Sequence, residues 1–392
     1  MSQASALTEQ KASHLREKPR VRALDGIRGL AVLVVMCYHL GGGAHSNNTV
    51  LHAFGTMNKM GYTGVTLFFV LSGFLITGIL WDSRGTPHWW RSFFIRRSLR
   101  IFPLYYASLL LVVIVALVVG HLHQCLSRIW TYVLYLQRLS AGPEGRDIDA
   151  PLRLGHFWSL AVEEQFYLLW PWLLRWIPDR LSAKLLCIGI FVFSCLYRLI
   201  TWTVAIRFAA VGDLPTYSGA LALGAWLALS YRGPEWVTLE RRMPVVAWTS
   251  GCGFLATAIL SGSLRPDGSF TPMLMIIGLP LVMIFFGALI ALALQEGIIR
   301  RIAETGILRW LGGISYAAYV FHVLFMDLFA WLANDVAAKY GRNAVLGANF
   351  VIGMSLTLLL AWLSGRYFEA PFLRLKEQFP QIRNVHAGSS SN

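Results

Sequence analysis

Apolar residues run through this chain in ten blocks, about 24–41, 61–82, 101–120, 157–176, 184–206, 216–231, 245–261, 273–294, 310–332 and 345–367, separated by short polar segments. A helix needs roughly 20 residues to cross the hydrocarbon core of a bilayer. Most of the blocks are long enough, and the sixth and seventh are short. The pattern predicts an all-α polytopic membrane protein with about ten transmembrane helices. The stretch 126–137 (LSRIWTYVLYLQ) is amphipathic and is expected to lie along the membrane interface. Residues 1–22 are polar and basic, with no apolar centre and no small-residue cleavage site, so they read as a cytoplasmic tail and not as a signal peptide. The expected organisation is a tail over 1–22, a ten-span core over 23–368 and a second tail over 369–392. No internal repeat of fixed period is visible.

Composition strengthens this reading. The 392 residues are 56% hydrophobic and only 14% charged, far from the roughly 25% charged of an ordinary soluble domain. The net charge of +14 could suggest nucleic-acid binding, but the basic residues fall in short clusters between apolar blocks and form no single face or tail. Nucleic acid is therefore not an expected partner. Most of the 34 Lys and Arg lie in the termini and in the even-numbered loops, Arg84, Arg91, Arg96, Arg97 and Arg100 among them. The positive-inside bias places both termini in the cytoplasm of a multi-pass protein of the cell (inner) membrane. Segment 121–156, with Glu144, Asp147 and Asp149, then becomes the largest external loop. The five Cys include no CxxC pair, which argues against a disulfide framework or a zinc site. His121 and His123 have no third ligand nearby, and no metal is expected.

Ionisable residues inside a span are expensive, at least ~2.5–3.5 kcal/mol at mid-depth, and so mark candidate chemistry. In the first span Arg28 and His39 are eleven residues apart. That is three helical turns, on one face and roughly 16 Å along the axis. Asp25, three residues before Arg28, can hold its guanidinium. Snorkelling by Arg28 and a hydrogen-bonded core role for His39 are the structural alternatives. The fourth span carries Glu163 and Glu164, which must point about 100° apart; a structural alternative pairs one of them with Arg198 or another intramembrane cation. Arg97 and Arg100, at i and i+3, share a face beside the start of a helix opened by Pro103, a suitable setting for phosphate groups. Tyr316, Tyr319 and His322 form a polar stripe on the ninth span. Glu369, in RYFEAPF, reads as a lock to a basic cytoplasmic loop.

These residues give the chain a resemblance to the acyltransferase-three family of integral-membrane O-acyltransferases over about residues 20–375. It rests on Arg28 and His39 with ten residues between them, FFVLSGFLI in the second span, and Arg97–x–x–Arg100–Ile101–x–Pro103. WSLAVEEQFY (158–167), SYAAYVFH (315–322) and YFEAPF (367–372) complete the match. The resemblance implies transfer of an acetyl or other short acyl group from cytoplasmic acyl-CoA, a co-substrate and not a resident cofactor. The acceptor would be a hydroxyl of a glycan or of a glycosylated natural product such as a macrolide antibiotic. It implies His39 as the catalytic base and Glu163 as the group that orients it or stabilises its imidazolium. It implies also that Arg28, Arg97 and Arg100 bind acyl-CoA. Asp25, Ser72, Glu164, Tyr316, Tyr319 and His322 are expected in supporting or acceptor-binding positions. Many relatives carry a secreted esterase-like domain that this sequence does not contain, so the membrane core is expected to complete the transfer. The competing reading, a transporter or flippase of a glycan or lipid-linked intermediate, fits ten spans with buried charge. It is weakened by the missing inverted repeat.

Overall fold

The computed structural model describes residues 21–41, 48–140, 152–203, 212–264, 270–340 and 342–379. Among them the regular structure is helical throughout, with no strand. The chain order is α1 (Arg22–Leu40), α2 (Thr49–Asn58), α3 (Thr63–Ser83), α4 (Trp89–Val118), α5 (Leu122–Val133), α6 (Trp158–Trp176), α7 (Arg180–Thr203) and α8 (Leu214–Ser230). It continues with α9 (Trp236–Leu260), α10 (Leu279–Leu294), α11 (Ile298–Ala303), α12 (Gly306–Leu324), α13 (Met326–Tyr340), α14 (Arg342–Leu363) and α15 (Ala370–Glu377). A bilayer offers backbone N–H and C=O groups no water, so a spanning chain that is not a closed barrel must satisfy them within helices.

Within the described residues the ten apolar blocks fold mainly into helix, and eight helices there are long and apolar enough to cross a membrane. The chain is an all-α polytopic membrane protein. Helices α6 and α8 fall outside those eight for local reasons. α6 is diluted by Glu163, Glu164 and Gln165, and α8 is only 17 residues long. Three boundaries differ from the sequence expectation. The third block begins as helix twelve residues early, at Trp89, so Pro103 sits inside α4 and does not open it. The ninth block breaks at Phe325, a new helix starts at Met326, and in its first turn Asp327 makes a bidentate pair with Arg153 at 2.9 and 2.6 Å. The amphipathic segment continues as helix from Leu122, and α5 folds back along the C-terminal half of α4, where Tyr105 and Tyr106 donate hydrogen bonds to the carbonyls of Tyr132 and Val133. The acidic residues 144, 147 and 149 of the expected external loop lie outside the described residues.

Helix α3 is the centre of the bundle and the most enclosed span, whereas α7, α9 and α14 turn much of their surface outward. Two close helix pairs organise that centre. In α1 against α12, a Cβ on Gly29 would land inside the carbonyl of Leu308, and one on Gly312 inside the carbonyl of Asp25. In α3 against α8, Gly73 and Gly224 meet the carbonyls of Leu221 and Val70 in the same way. Lipid tails supply no hydrophobic force between helices, so contact this close adds dispersion attraction that larger residues would forbid. The α1–α12 contact also brings the neighbourhoods of His39 and His322, near the C-terminal ends of those helices, together.

Candidate active site

Helices α1, α3, α4, α6 and α12 leave a cavity of about 90 Å³ between them. Three guanidinium groups reach it: Arg28 from α1, and Arg97 and Arg100 from consecutive turns of α4. Arg28 pairs with Asp25 one turn earlier, at 3.5 Å. The Arg97 guanidinium lies over the ring of Tyr167, 4.2 Å from its centroid, and its Nε is buried without a hydrogen-bond partner. Glu163 is the acidic member of the wall, beside the hydroxyls of Ser72 and Tyr167, which hydrogen-bond each other. Positive charge therefore dominates a part-apolar chamber, a setting in which an anionic group gains more than it would in water.

The outer side of the cavity is closed by α12. Tyr316 donates to the carbonyl of Ile101 at 2.7 Å, which fixes α12 against α4. Tyr319 hydrogen-bonds the hydroxyl of Ser159 and donates to the carbonyl of His156 at 3.0 Å. Beyond Tyr319 lies a group of three imidazoles from separate elements: His39 near the end of α1, His322 near the end of α12, and His156 just before α6. The ring of His322 is 4.9 Å from that of His39 and 5.1 Å from that of His156. His322 is buried completely and His39 is half-buried.

The structure thus gathers Arg28, Arg97, Arg100, Glu163, Ser72, Tyr316 and Tyr319 around one cavity, with Asp25 behind Arg28. It sets His39 and His322 one layer further out, joined to the cavity through Tyr319. Four expectations change. Arg97 and Arg100 sit in the third turn of α4 and just beyond it, not at a helix start, so the macrodipole contributes little and their own charge carries any anion binding. The hydrogen bonds of His39 run to Val35 and His322, while Glu163 sits with Ser72, Tyr167 and Arg97. Glu164 points away from the cavity toward Tyr105, Tyr106, Tyr135 and Tyr316, as the angle between helical neighbours requires, and its buried Oε1 has no hydrogen-bond partner. Arg198 is no partner for either glutamate: it donates to Ser194 Oγ at 2.7 Å and to the Thr216 carbonyl at 2.5 Å, tying α7 to α8. Glu369 accepts from Ser364 at 3.0 Å and neighbours Arg100, and Arg96 donates to the carbonyls of Lys376 and Phe379, so the last helical segment is fastened to the basic start of α4. No cluster of metal-ligating side chains occurs among the described residues.

Sequence reasoning missed His156, Ser159, Tyr167 and Ser315. Three of them lie inside the motifs WSLAVEEQFY and SYAAYVFH, where hydroxyls carry no charge to mark them out in an apolar span. His156 immediately precedes the fourth apolar block, and a histidine at the edge of a span was itself a signal.

Comparison with known proteins places the chain in a family. The sequence model of the acyltransferase domain matches residues 21–366. The chain is 28% identical over 377 residues to the peptidoglycan O-acetyltransferase OatA of Listeria monocytogenes, covering 90% of this chain and 55% of that protein. It is 28% identical over 382 residues to the Bacillus subtilis protein named "Putative peptidoglycan O-acetyltransferase YrhL", covering 92% and 56%. The chain spans about half the length of these curated relatives. No solved structure matches it. With most of its length inside the family's domain, and its ordered motifs converging on one cavity, the chain belongs to the acyltransferase-three family of integral-membrane proteins.

Proposed function

We propose that this protein is an acyl-CoA-dependent O-acyltransferase of the inner membrane, moving an acetyl or other short acyl group onto a hydroxyl of a glycan or glycosylated acceptor. The observation that carries the reading is the convergence of Arg28, Arg97 and Arg100 on one cavity, with the Arg97 guanidinium over an aromatic face and its buried Nε without a hydrogen-bond partner. A nucleotide-bearing thioester is the donor such a site suits, because its phosphates need several fixed cations and its acyl arm needs an apolar passage. The span from Arg28 to His39, roughly 16 Å along α1, is within reach of a pantetheine arm.

In the reaction, the acceptor oxygen attacks the thioester carbonyl as His39 removes its proton. The new C–O bond forms, the C–S bond breaks, and the departing thiolate takes its proton from the imidazolium. Glu163, Tyr167 and Ser72 shape the passage between phosphates and thioester. The relatives' names point to a cell-wall glycan as the acceptor class ahead of a diffusible macrolide. The test is free-thiol release by purified protein in nanodiscs, given acetyl-CoA and a panel of glycan and macrolide acceptors, with mass spectrometry of the products. Acceptor-dependent thiol release that disappears in His39→Ala supports the proposal. Movement of a glycan across the bilayer with no thiol released would replace it with the transport reading.

A further inference from the structure

We infer that His322 is a positioning residue that fixes the tautomer of His39, so that Nε2 of His39 carries the lone pair of the general base. The inference rests on the transferase reading above for its purpose, but its geometry stands on hydrogen bonds alone. His322 Nδ1 lies 2.7 Å from the carbonyl of Tyr319. A carbonyl only accepts, so that nitrogen carries the proton, and in the neutral ring Nε2 is then a lone pair. This lone pair faces His39 Nδ1 at 3.2 Å.

His39 Nδ1 is also 3.1 Å from the carbonyl of Val35. Facing two acceptors, it must be the protonated nitrogen. The neutral ring of His39 is left with its lone pair on Nε2, which has no hydrogen-bond partner among the described residues. The proton position on one ring nitrogen is set by the bond the other makes, and here two histidines apply that rule in series. Val35 alone would hold the tautomer weakly, because its carbonyl already accepts the backbone N–H of residue 39 in the helical ladder. The lone pair of His322 is not shared in this way.

The rest of the cluster keeps His322 in place. His156 is 3.1 Å from the carbonyl of Val320 through Nε2, so that nitrogen is its donor, and its ring packs edge-on against His322. Tyr319 anchors the same turn of α12 through Ser159 and the His156 carbonyl. The aspartate of a serine-protease triad performs the same task for its histidine, and losing the correct tautomer there costs about 10⁴-fold in turnover. In this protein a neutral imidazole takes that role, within a membrane where another carboxylate would be costly to bury.

The experiment is ¹⁵N NMR of ¹⁵N-histidine-labelled protein in bicelles, with the His39 signals assigned by their loss in His39→Gln. The expected spectrum has a protonated Nδ1 and an unprotonated Nε2 on His39. In His322→Leu that tautomer should give way to a mixture, and kcat should fall on the order of 10²–10⁴-fold while the donor KM stays within about twofold. His322→Gln offers a side-chain carbonyl as acceptor and should restore both the tautomer and turnover to within about tenfold of wild type. A wild-type spectrum with the His39 proton on Nε2 overturns the inference, and so does a His322→Leu protein that keeps the Nδ1–H tautomer and wild-type kcat. If His322→Leu fails to fold, the wild-type and His322→Gln spectra still decide. A wild-type protein that releases no thiol would sink the transferase reading without altering the tautomer result.

Discussion

Replacing Arg97 by alanine tests the donor site most directly. Its guanidinium stacks on Tyr167 at 4.2 Å and lines the cavity beside Arg28 and Arg100, and its buried Nε has no hydrogen-bond partner. Two losses follow, and they appear in different measurements. The cation–π contact contributes about 0.5–2 kcal/mol to the folded protein, so the melting temperature should fall modestly. A charge-assisted hydrogen bond to phosphate is worth about 1.5–3 kcal/mol, which converts to roughly a 10- to 150-fold weaker Kd for acetyl-CoA. Lysine keeps the charge but neither the planar fork nor the stacking, so Arg97→Lys should fall between wild type and Arg97→Ala. The assay is equilibrium binding of labelled acetyl-CoA to protein in nanodiscs, repeated with 3′-dephospho-CoA. If Arg97 meets the 3′-phosphate, the substitution should cost little further affinity for the dephosphorylated ligand. An unchanged Kd for acetyl-CoA in both Arg97→Ala and Arg100→Ala would refute the reasoning and remove α4 from the donor site.

Four further outcomes follow. His39→Ala should lower transfer at least ~10²–10⁴-fold with acetyl-CoA affinity nearly intact, and the wild-type rate should rise with pH through the imidazole range and then level off, because only the neutral ring accepts a proton; near-normal turnover in His39→Gln would return His39 to a core role. Cysteine accessibility in intact cells should place 1–22, 84–97 and 374–392 on the cytoplasmic side and 141–150 outside, and labelling of 141–150 only from the cytoplasm would overturn the ten-span topology. Gly29→Val should push α1 from α12 at a cost of about 1–3 kcal/mol, read as a lower melting temperature with loss of transfer; wild-type stability would show that the close contact with Leu308 is dispensable. Two bidentate ion pairs among the described residues should differ: Arg153–Asp327, more than half exposed, is worth ~0–1 kcal/mol, while Asp82, held by Arg232 Nε at 2.5 Å and Nη2 at 2.7 Å with 19% exposure on each side, should cost several times more on Asp82→Asn; equal melting temperatures for Asp327→Asn and Asp82→Asn would contradict that ranking.

The sequence by itself determined the helical, membrane-spanning character of this protein and most of the residues around its cavity. Both follow from the solvent: hydrocarbon forces the backbone into helices and makes every buried charge conspicuous, so Arg28, His39 and Glu163 stood out one by one. Helical spacing was enough to separate Glu163 from Glu164. Interactions between helices were beyond it. The pairing of Asp327 with Arg153 and the return of α5 along α4 each involve a partner distant in sequence. The same holds for the company His39 keeps. The family resemblance implied a carboxylate from the fourth span. The glycines that let α1 and α12 meet at carbonyl contact deliver His322 instead, with His156 behind it. A local pattern records which side chains share a helix face; only close packing between helices decides which faces meet.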